Sequence, residues 1–452
     1  MASNYSDYTR EQLLERIKTL ESQVEQKQVK DNNKKKEEED ELKHKPTRQE
    51  RKGNKKREFD MAKYTKRKVA FRIAYLGWNY MGFASQGDED KVPTVEGRIF
   101  QALKECKLIE TIDEASDYTR CGRTDKGVSG MGQVIALYVR SKKLASDSNP
   151  DLLPPAQEFP YIDTLNRMLP DDIRVLAWTS VPEDFSARFH CQSRTYKYYF
   201  SRGKMDIEKM REACRNYEGD HDFRNFCKLD PTKNVLSYNR IMSSMTIEPV
   251  PYTKTADIGD GTEFYQVTLK GTAFLWHQVR YMMSVLFLVG QGLEDPSVIT
   301  KLLDVEKVPS KPEFPMASDL PLVLYDCEFK DLNWTYTSNG DRYQPFPPSL
   351  RTYQQFGSLW TEQMIRALTC QAYFTKVGTF PIMLEDNTYA TILDMVKARG
   401  ITTHTGASTI QLGGGKETRL GNYKPLLERP RGDSDEVKKE KYEARKKRKL
   451  DS

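Results

Sequence analysis

The strongest constraint on the fold is a charge-dense segment near the amino terminus, residues 31–68, which carries 15 basic and 9 acidic side chains. Such a composition cannot bury enough apolar surface to form a core, so the segment is predicted to be a flexible linker. Packed structure is therefore expected to begin at Val69, where Val69, Phe71, Ile73 and Tyr75 alternate with other residues as in a β-strand.

Charge is distributed unevenly along the rest of the chain. The formal net charge is +6, yet residues 69–427 carry 41 basic and 44 acidic side chains, and the tail 428–452 carries 10 basic and 7 acidic. Residues 69–427 can bind a polyanion only if their cations are sorted onto one face. The tail cluster Arg445–Lys449 is compatible with nuclear import, with RNA contact, or with plain solvated charge.

Cysteine usage and hydropathy exclude several classes of protein. The seven cysteines are scattered with no Cys-x-x-Cys pair, which argues against a secreted disulfide scaffold and against a zinc ribbon. Met1–Arg10 is polar and lacks the character of a secretory signal. The most apolar run, Tyr281–Val289, has nine residues, whereas a membrane span needs about 20. We expect a soluble intracellular protein with no membrane partner and no metal.

Both ends of the chain have sequence patterns that indicate accessory segments. Leu13, Ile17, Leu20 and Val24 recur at helical spacing, so residues 1–30 form either a coiled coil or a helix that docks on its own domain. Beyond residue 330 the patterning weakens: 331–358 are expected to be loop and 360–400 helix. We predict that 331–427 form an extension packed on the body and that 428–452 form a basic tail.

The sequence pattern of residues 69–330, here called the body, predicts two successive sets of strands and helices. The first set covers residues 69–181 and the second covers 182–330. Thr94 is expected to cap the first helix. A largely buried helix is expected over Phe274–Val289, and residues 133–140 have the two-sided apolar character of a buried strand. This order suggests two α+β halves that share one sheet.

Three segments of the body carry candidate chemistry. In the first, Cys121-Gly122-Arg123-Thr124-Asp125-Lys126-Gly127, two glycines bracket an Arg and an Asp, although Asp-Lys-Gly is also an ordinary turn. The second, residues 194–199, mixes cations with tyrosines, which suits either stacking on RNA bases or packing in a core. The third contains Arg280 on the apolar helix, where a cation needs an acidic partner or must extend to the surface.

A fourth motif is set aside. Gly413-Gly414-Gly415-Lys416 superficially resembles a phosphate-binding loop. That loop requires four residues between its flanking glycines and a Ser or Thr directly after the Lys. The segment has neither, so we assign it no phosphate-binding role.

Seven segments of the body carry recognisable motifs: Ala74–Tyr80, Cys121–Ser129, Leu165–Arg174, Phe185–Phe189, Arg194–Tyr198, His221–Lys228 and Phe274–Arg280. Taken together and in this order, they resemble the motifs of TruA-like tRNA pseudouridine synthases, and most closely those of the eukaryotic branch that modifies positions 38 and 39. One departure is Gly130, where the family pattern has Ala.

The resemblance implies a fold and an activity. The fold would be α+β of the pseudouridine synthase type, with two ferredoxin-like or RRM-like halves sharing a central mixed, largely antiparallel sheet flanked by helices. The activity would be that of an isomerase converting uridine to pseudouridine in the tRNA anticodon stem-loop, at positions 38 and 39. It would need no cofactor, and the protein would act as a homodimer in the nucleus and cytoplasm.

The resemblance also implies residue roles. Asp125 would be the nucleophile, Arg280 its ion-pair partner, and Tyr196 the ring that stacks on the target uracil and removes a proton. Arg123 would enter the RNA and help to hold the base flipped out, as an enzyme acting on a stacked base requires. Other RNA contacts are implied for Lys126, Arg188, Arg194, Phe223 and His277.

Two other functions remain open at this stage. One is a catalytically silent RNA-binding protein on the same fold, and the other is a coiled-coil interaction protein with an incidental α+β domain. The presence of Asp125, Tyr196 and Arg280 together favours the enzyme.

Overall fold

A computed structural model describes most of the chain beyond the amino-terminal segment. Met61–Ser452 form one compact unit, and of Met1–Asp60 only residues 59 and 60 are described. The predicted helix over Leu13–Val24 and most of the predicted linker therefore lie outside the described residues. These are 59–89, 91–113, 116–232, 235–251, 263–336, 348–386, 388–398, 409–419 and 421–450. Within these ranges, no helix combines the length and apolar character needed to cross a membrane.

One large sheet organises the unit. Its strands are Tyr64–Tyr75 (β1), Thr119–Arg120 (β2), Ser129–Leu144 (β3), Ile173–Ser180 (β4), Cys191–Ser201 (β5), Gly219–Asp222 (β6), Asn239–Pro249 (β7), Phe264–Gly271 (β8) and Leu322–Phe329 (β9). Their spatial order is β4-β1-β3-β9-β5-β8-β7-β6, with β2 paired to β3. All of these pairs are antiparallel except β3 with β9.

The parallel β3–β9 pairing joins the two sets of strands. Ser129 lies opposite Val323, and Gly130 lies opposite Leu324. Strands β1 to β4 lie on one side of this seam and β5 to β9 on the other. The predicted class is therefore confirmed: two α+β halves share a mixed, largely antiparallel sheet.

Each half packs helices on its part of the sheet. The first carries Val95–Glu105 (α1) and Tyr161–Asn166 (α2); the second carries Ile207–Arg215 (α3), Gln278–Gly290 (α4) and Val298–Leu303 (α5). Helix α1 begins as predicted, because the Thr94 hydroxyl accepts a hydrogen bond from the Gly97 backbone N–H at 3.1 Å. Each half has its own hydrophobic core, and a third, smaller cluster contains residues of both halves, among them Val134 and Leu324.

The start of β1 differs from the prediction. The strand begins at Tyr64, so Lys66, Arg67 and Lys68 pair with β3 and are not part of a linker. Arg67 and Lys68 are buried. Each has an acidic partner far along the chain, Glu158 for Arg67 at 2.9 Å and Asp117 for Lys68. These distant carboxylates compensate charges that local composition marks as solvated.

The carboxyl-terminal extension is more ordered than predicted. It contains Pro348–Gly378 (α6), Pro381–Met383 (β10), Tyr389–Thr391 (β11), Ile392–Ala398 (α7), Thr409–Gln411 (β12), Glu417–Arg419 (β13) and Asp435–Leu450 (α8). The predicted loop over 331–358 is wrong for 348–358. A proline is tolerated in a first helical turn, so Pro348 begins α6 and does not exclude it. The tail is helical because acidic residues at 435 and 436 favour a helix start.

The Arg67–Glu158 pair yields a stability prediction. Arg67→Met should lower the free energy of unfolding by about 3 kcal/mol, because it leaves a buried carboxylate without its cation. Lys66→Met, on the exposed side of the same strand, is the matched control and should change it by less than about 0.5 kcal/mol. Urea unfolding measures both, and equal effects would contradict a structural role for the pair.

Candidate active site

Asp125 lies on the loop between β2 and β3, next to the seam. Neighbouring backbone holds this loop: the Phe83 N–H donates to the Thr124 carbonyl at 3.1 Å, and the Gly127 N–H donates to the Tyr80 carbonyl at 3.2 Å. Gly127 has a φ of +78°, and a Cβ there would lie 2.6 Å from Asp319 Oδ2. The loop is thus fixed on both sides, and the Asp125 side chain keeps 25% of its surface exposed.

Gly130, the departure from the family pattern, has a structural explanation. A Cβ at this position would lie 2.6 Å from Tyr75 Cζ. The space is occupied by the Tyr75 ring, whose hydroxyl lies 2.8 Å from the Thr124 hydroxyl. Gly130 therefore allows Tyr75 to support the loop from the adjacent strand.

The electrostatic surroundings of Asp125 are balanced between burial and nearby cations. Burial raises the pKa of the Asp125 carboxyl, and the Asp319 charge acts in the same direction. The Arg280 charge, a hydrogen bond from the Trp276 side chain, and Lys228 oppose that rise. The net effect is a pKa above the ordinary value for Asp.

His277 contacts Asp125 and is not directed toward solvent. Its Nε2 lies 3.4 Å from Asp125 Oδ2, and its side chain is only 13% exposed. Burial and the cations Arg280, Lys228 and Lys311 lower the pKa of His277 to about 4, so the imidazole is neutral near pH 7. The structure thus places His277 within the site, beside Asp125, and the RNA contact that the resemblance implies stays a prediction.

The same residue shifts the start of α4. The predicted helix over Phe274–Val289 begins instead at Gln278. His277 has a φ of +62°, a left-handed conformation that interrupts the helix. The apolar character of residues 274–276 concealed this break.

Arg280 forms a different ion pair from the predicted one. Its Nε donates to the Ala317 carbonyl at 2.8 Å, and its Nη2 lies 3.9 Å from Asp319 Oδ1. Among the described residues, no direct Arg280–Asp125 ion pair forms within 4.0 Å. The Ala317 bond turns the guanidinium toward Asp319, yet its charge still lowers the pKa of Asp125.

Tyr196 lies on β5, opposite Leu324 of β9, and Leu324 pairs on its other side with Gly130 of β3. The Tyr196 ring meets Phe274 edge-on at a centroid distance of 4.9 Å. Burial raises the pKa of Tyr196 well above its ordinary value. The side chain is thus a neutral phenol near pH 7, which suits stacking better than proton removal.

The remaining implied RNA contacts divide into two groups. Arg123, Lys126 and Arg188 are exposed. Arg194 and Phe223 are buried, so they present no surface to RNA, and this part of the prediction is corrected. Phe223 packs in the core of the second half.

Arg194 instead links three backbone segments. Its Nη2 donates to the carbonyls of Cys121 and Arg188, each at 3.1 Å, and its Nη1 donates to the Thr272 carbonyl. Cys121 opens the Asp125 loop. Arg194 therefore ties the exposed Arg188 segment to that loop.

A group of three cysteines lies beside Arg194. The sulfur atoms of Cys121, Cys191 and Cys327 are within 4.8 Å of one another, and all three residues are buried. Thiolates at this spacing can hold a soft metal ion. The adjacent buried guanidinium would repel such an ion, so we assign no metal to the cluster.

Sequence reasoning missed four residues of the site: Trp276, Lys228, Asp319 and Lys416. Trp276 and Lys228 lie within the matched motifs, and the Lys228 ammonium lies 4.4 Å from the centre of the Trp276 ring. Asp319 and Lys416 lie in segments with no periodic pattern. Their Asp319 Oδ1–Lys416 Nζ contact at 3.1 Å arises from the tertiary fold.

Comparison with known proteins identifies the family. A family model described as tRNA pseudouridine synthase matches residues 213–330. The tRNA pseudouridine(38/39) synthase of Saccharomyces cerevisiae is 43% identical over 339 residues, covering 74% of this chain and 73% of the relative. The chain belongs to the tRNA pseudouridine synthase family. The Mus musculus synthase of the same name is 38% identical over 95% of this chain and 87% of its own.

Family membership confirms the resemblance and the enzyme class that it implied. Among solved structures, the archaeal box H/ACA sRNP Nop10-Cbf5 complex covers 49% of this chain and 43% of its own at 13% identity, with a TM-score of 0.20. That similarity is too low to support a comparison of details.

The contrast between Arg194 and Arg188 can be measured. Arg194→Met should destabilise the synthase by about 2 kcal/mol, because buried carbonyls lose their donor. Arg188→Met should leave stability unchanged but weaken tRNA binding and lower its salt dependence, as loss of a phosphate contact does. Thermal unfolding and filter binding at several salt concentrations test both. A stable Arg194→Met variant with weakened binding would contradict the assignment.

Proposed function

We propose that this synthase isomerises uridine to pseudouridine at positions 38 and 39 of the tRNA anticodon arm, with Asp125 as the nucleophile. The observation that carries the proposal is the setting of Asp125, a partly exposed carboxylate on a rigid loop beside the Arg280 charge. Relatives named for positions 38 and 39 support the choice of substrate.

The reaction needs a nucleophile but no redox step. The bond between uridine N1 and the ribose breaks, the uracil rotates, and C5 bonds to the ribose. The proton lost from C5 is balanced by the one gained at N1. A raised pKa makes the Asp125 carboxylate a better nucleophile, and the Arg280 charge limits that rise and so favours the carboxylate form.

The surrounding groups suit a flipped-out base. Arg123 and Lys126 are exposed on either side of Asp125 on the same loop, where they can contact RNA displaced around the target nucleotide. We propose that the neutral Tyr196 ring stacks on the uracil. Its raised pKa disfavours a phenolate, so the implied role in proton removal is not retained.

The alternative of a silent RNA-binding protein is separated from the enzyme by one substitution. Asp125→Ala should abolish tritium release from tRNA labelled at uridine C5, while tRNA affinity changes less than about threefold, because Asp125 is not a phosphate-binding cation. In the wild type, the rate should fall as pH drops through the raised pKa of Asp125, above the ordinary range for Asp.

The matched control is Asp184→Ala, which removes an exposed carboxylate elsewhere on the body. It should retain full activity. Activity of Asp125→Ala near the wild-type level would refute the nucleophile. A wild-type chain that binds tRNA but releases no tritium would favour the silent alternative.

We also propose that the synthase forms a homodimer through α6. This helix exposes Tyr353, Trp360, Met364 and Leu368 along one side, with 77%, 66%, 40% and 55% of each residue accessible. A Cβ at Gly357, on the same side, would meet no atom within 4 Å. An exposed apolar stripe along a helix is typical of a surface that associates with another protein chain.

The family resemblance implies a homodimer, so a second copy of this chain is the partner proposed for the apolar stripe of α6. Trp360→Glu combined with Leu368→Glu should place charges in the stripe and convert a dimer to a monomer. Ser358→Glu, at an exposed position flanked by Gln354 and Glu362 on a polar side of the helix, is the control. Light scattering should give about twice the 52.4 kDa chain mass for wild type and control. A wild-type monomer would contradict this proposal.

A further inference from the structure

The glycine turn between β12 and β13 is seated against the second half of the sheet. A Cβ at Gly413 would lie 2.5 Å from Tyr198 Oη, and one at Gly414 would lie 2.8 Å from Ser318 Oγ. The Ser318 N–H donates to the Leu412 carbonyl at 2.7 Å. The turn therefore approaches residues 317–319 more closely than larger side chains would allow.

The position of this turn brings Lys416 into contact with Asp319. Lys416 Nζ lies 3.1 Å from Asp319 Oδ1, whose side chain is 21% exposed. Burial alone would raise the pKa of Asp319, but the Lys416 hydrogen bond, a backbone hydrogen bond, and the charges of Arg280 and Lys416 lower it below the ordinary value. Asp319 is therefore a stable carboxylate anion with two cations beside it.

Asp319 in turn borders the catalytic loop. Its Oδ1 lies 3.9 Å from Arg280 Nη2, and its Oδ2 occupies the space where a Cβ of Gly127 would be. Arg280 thus serves two carboxylates, Asp319 directly and Asp125 through its charge. Any unbalanced charge on Asp319 competes with Asp125 for the same guanidinium.

We propose that Lys416 is a positioning residue for the reaction, which neutralises Asp319 and so keeps the Arg280 charge available to Asp125. This inference rests on the function proposed above. It gives the carboxyl-terminal extension a part in catalysis through the segment first set aside as a false phosphate loop.

The expected signature lies in the pH profile. The charged or titratable groups that face Asp125 are Arg280 of α4, His277 just before that helix, Asp319, and Lys228. Without Lys416, Asp319 would hold Arg280 more strongly, and the carboxylate form of Asp125 would lose support. The acidic limb of the kcat profile should then move to higher pH.

The test uses the full chain with tRNA labelled at uridine C5. Lys416→Met should lower kcat by about threefold to tenfold near pH 7, a modest change because the Lys416 side chain is 61% exposed. KM and tRNA affinity should stay unchanged, and Lys416→Arg should restore kcat. Lys424→Met, an exposed lysine of the same extension, is the control and should behave as wild type.

A double-variant cycle shows whether Lys416 acts through Asp319. In an Asp319→Asn background, Lys416→Met should have no further effect on kcat. The inference is overturned if Lys416→Met matches wild type, if its loss is confined to KM, or if the loss persists with Asn at position 319. If the wild-type chain is inactive, the proposed function fails and this inference fails with it.

Discussion

The parallel pairing of β3 with β9 is the constraint on which the rest of the site depends. It joins two halves that each have a hydrophobic core, and it begins at Ser129, four residues after Asp125. The pairing therefore fixes the Asp125 loop, contributed by the first half, against Arg280 and Asp319, contributed by the second. Neither half alone contains these charges together.

At this seam, burial and charge act in opposition on one carboxylate. Burial favours the neutral form of Asp125, whereas the Arg280 charge favours the anion. Both effects suit the proposed nucleophile, because reduced solvation favours reactivity and a nearby cation favours the carboxylate form. Neutral His277 and Tyr196 complete the surroundings without adding further charge at pH 7.

The sequence predicted those features that local patterning determines. Alternation at Val69–Tyr75, the Thr94 cap and the two successive sets of elements gave the correct fold class and most strands. Prediction from the sequence failed where the partner of a residue lies far along the chain. Arg67 is buried because Glu158 pairs with it, and Arg194 is buried because three carbonyls accept its hydrogen bonds. The Asp319–Lys416 contact likewise depends on the tertiary fold.

We propose that this chain converts uridines 38 and 39 through Asp125. The most direct measurement is nucleotide-resolution mapping of pseudouridine in an unmodified tRNA transcript incubated with the purified protein. Pseudouridine at positions 38 and 39 with wild type, and at neither position with Asp125→Ala, is the predicted result. Pseudouridine at those positions with Asp125→Ala, or at neither with wild type, would contradict it.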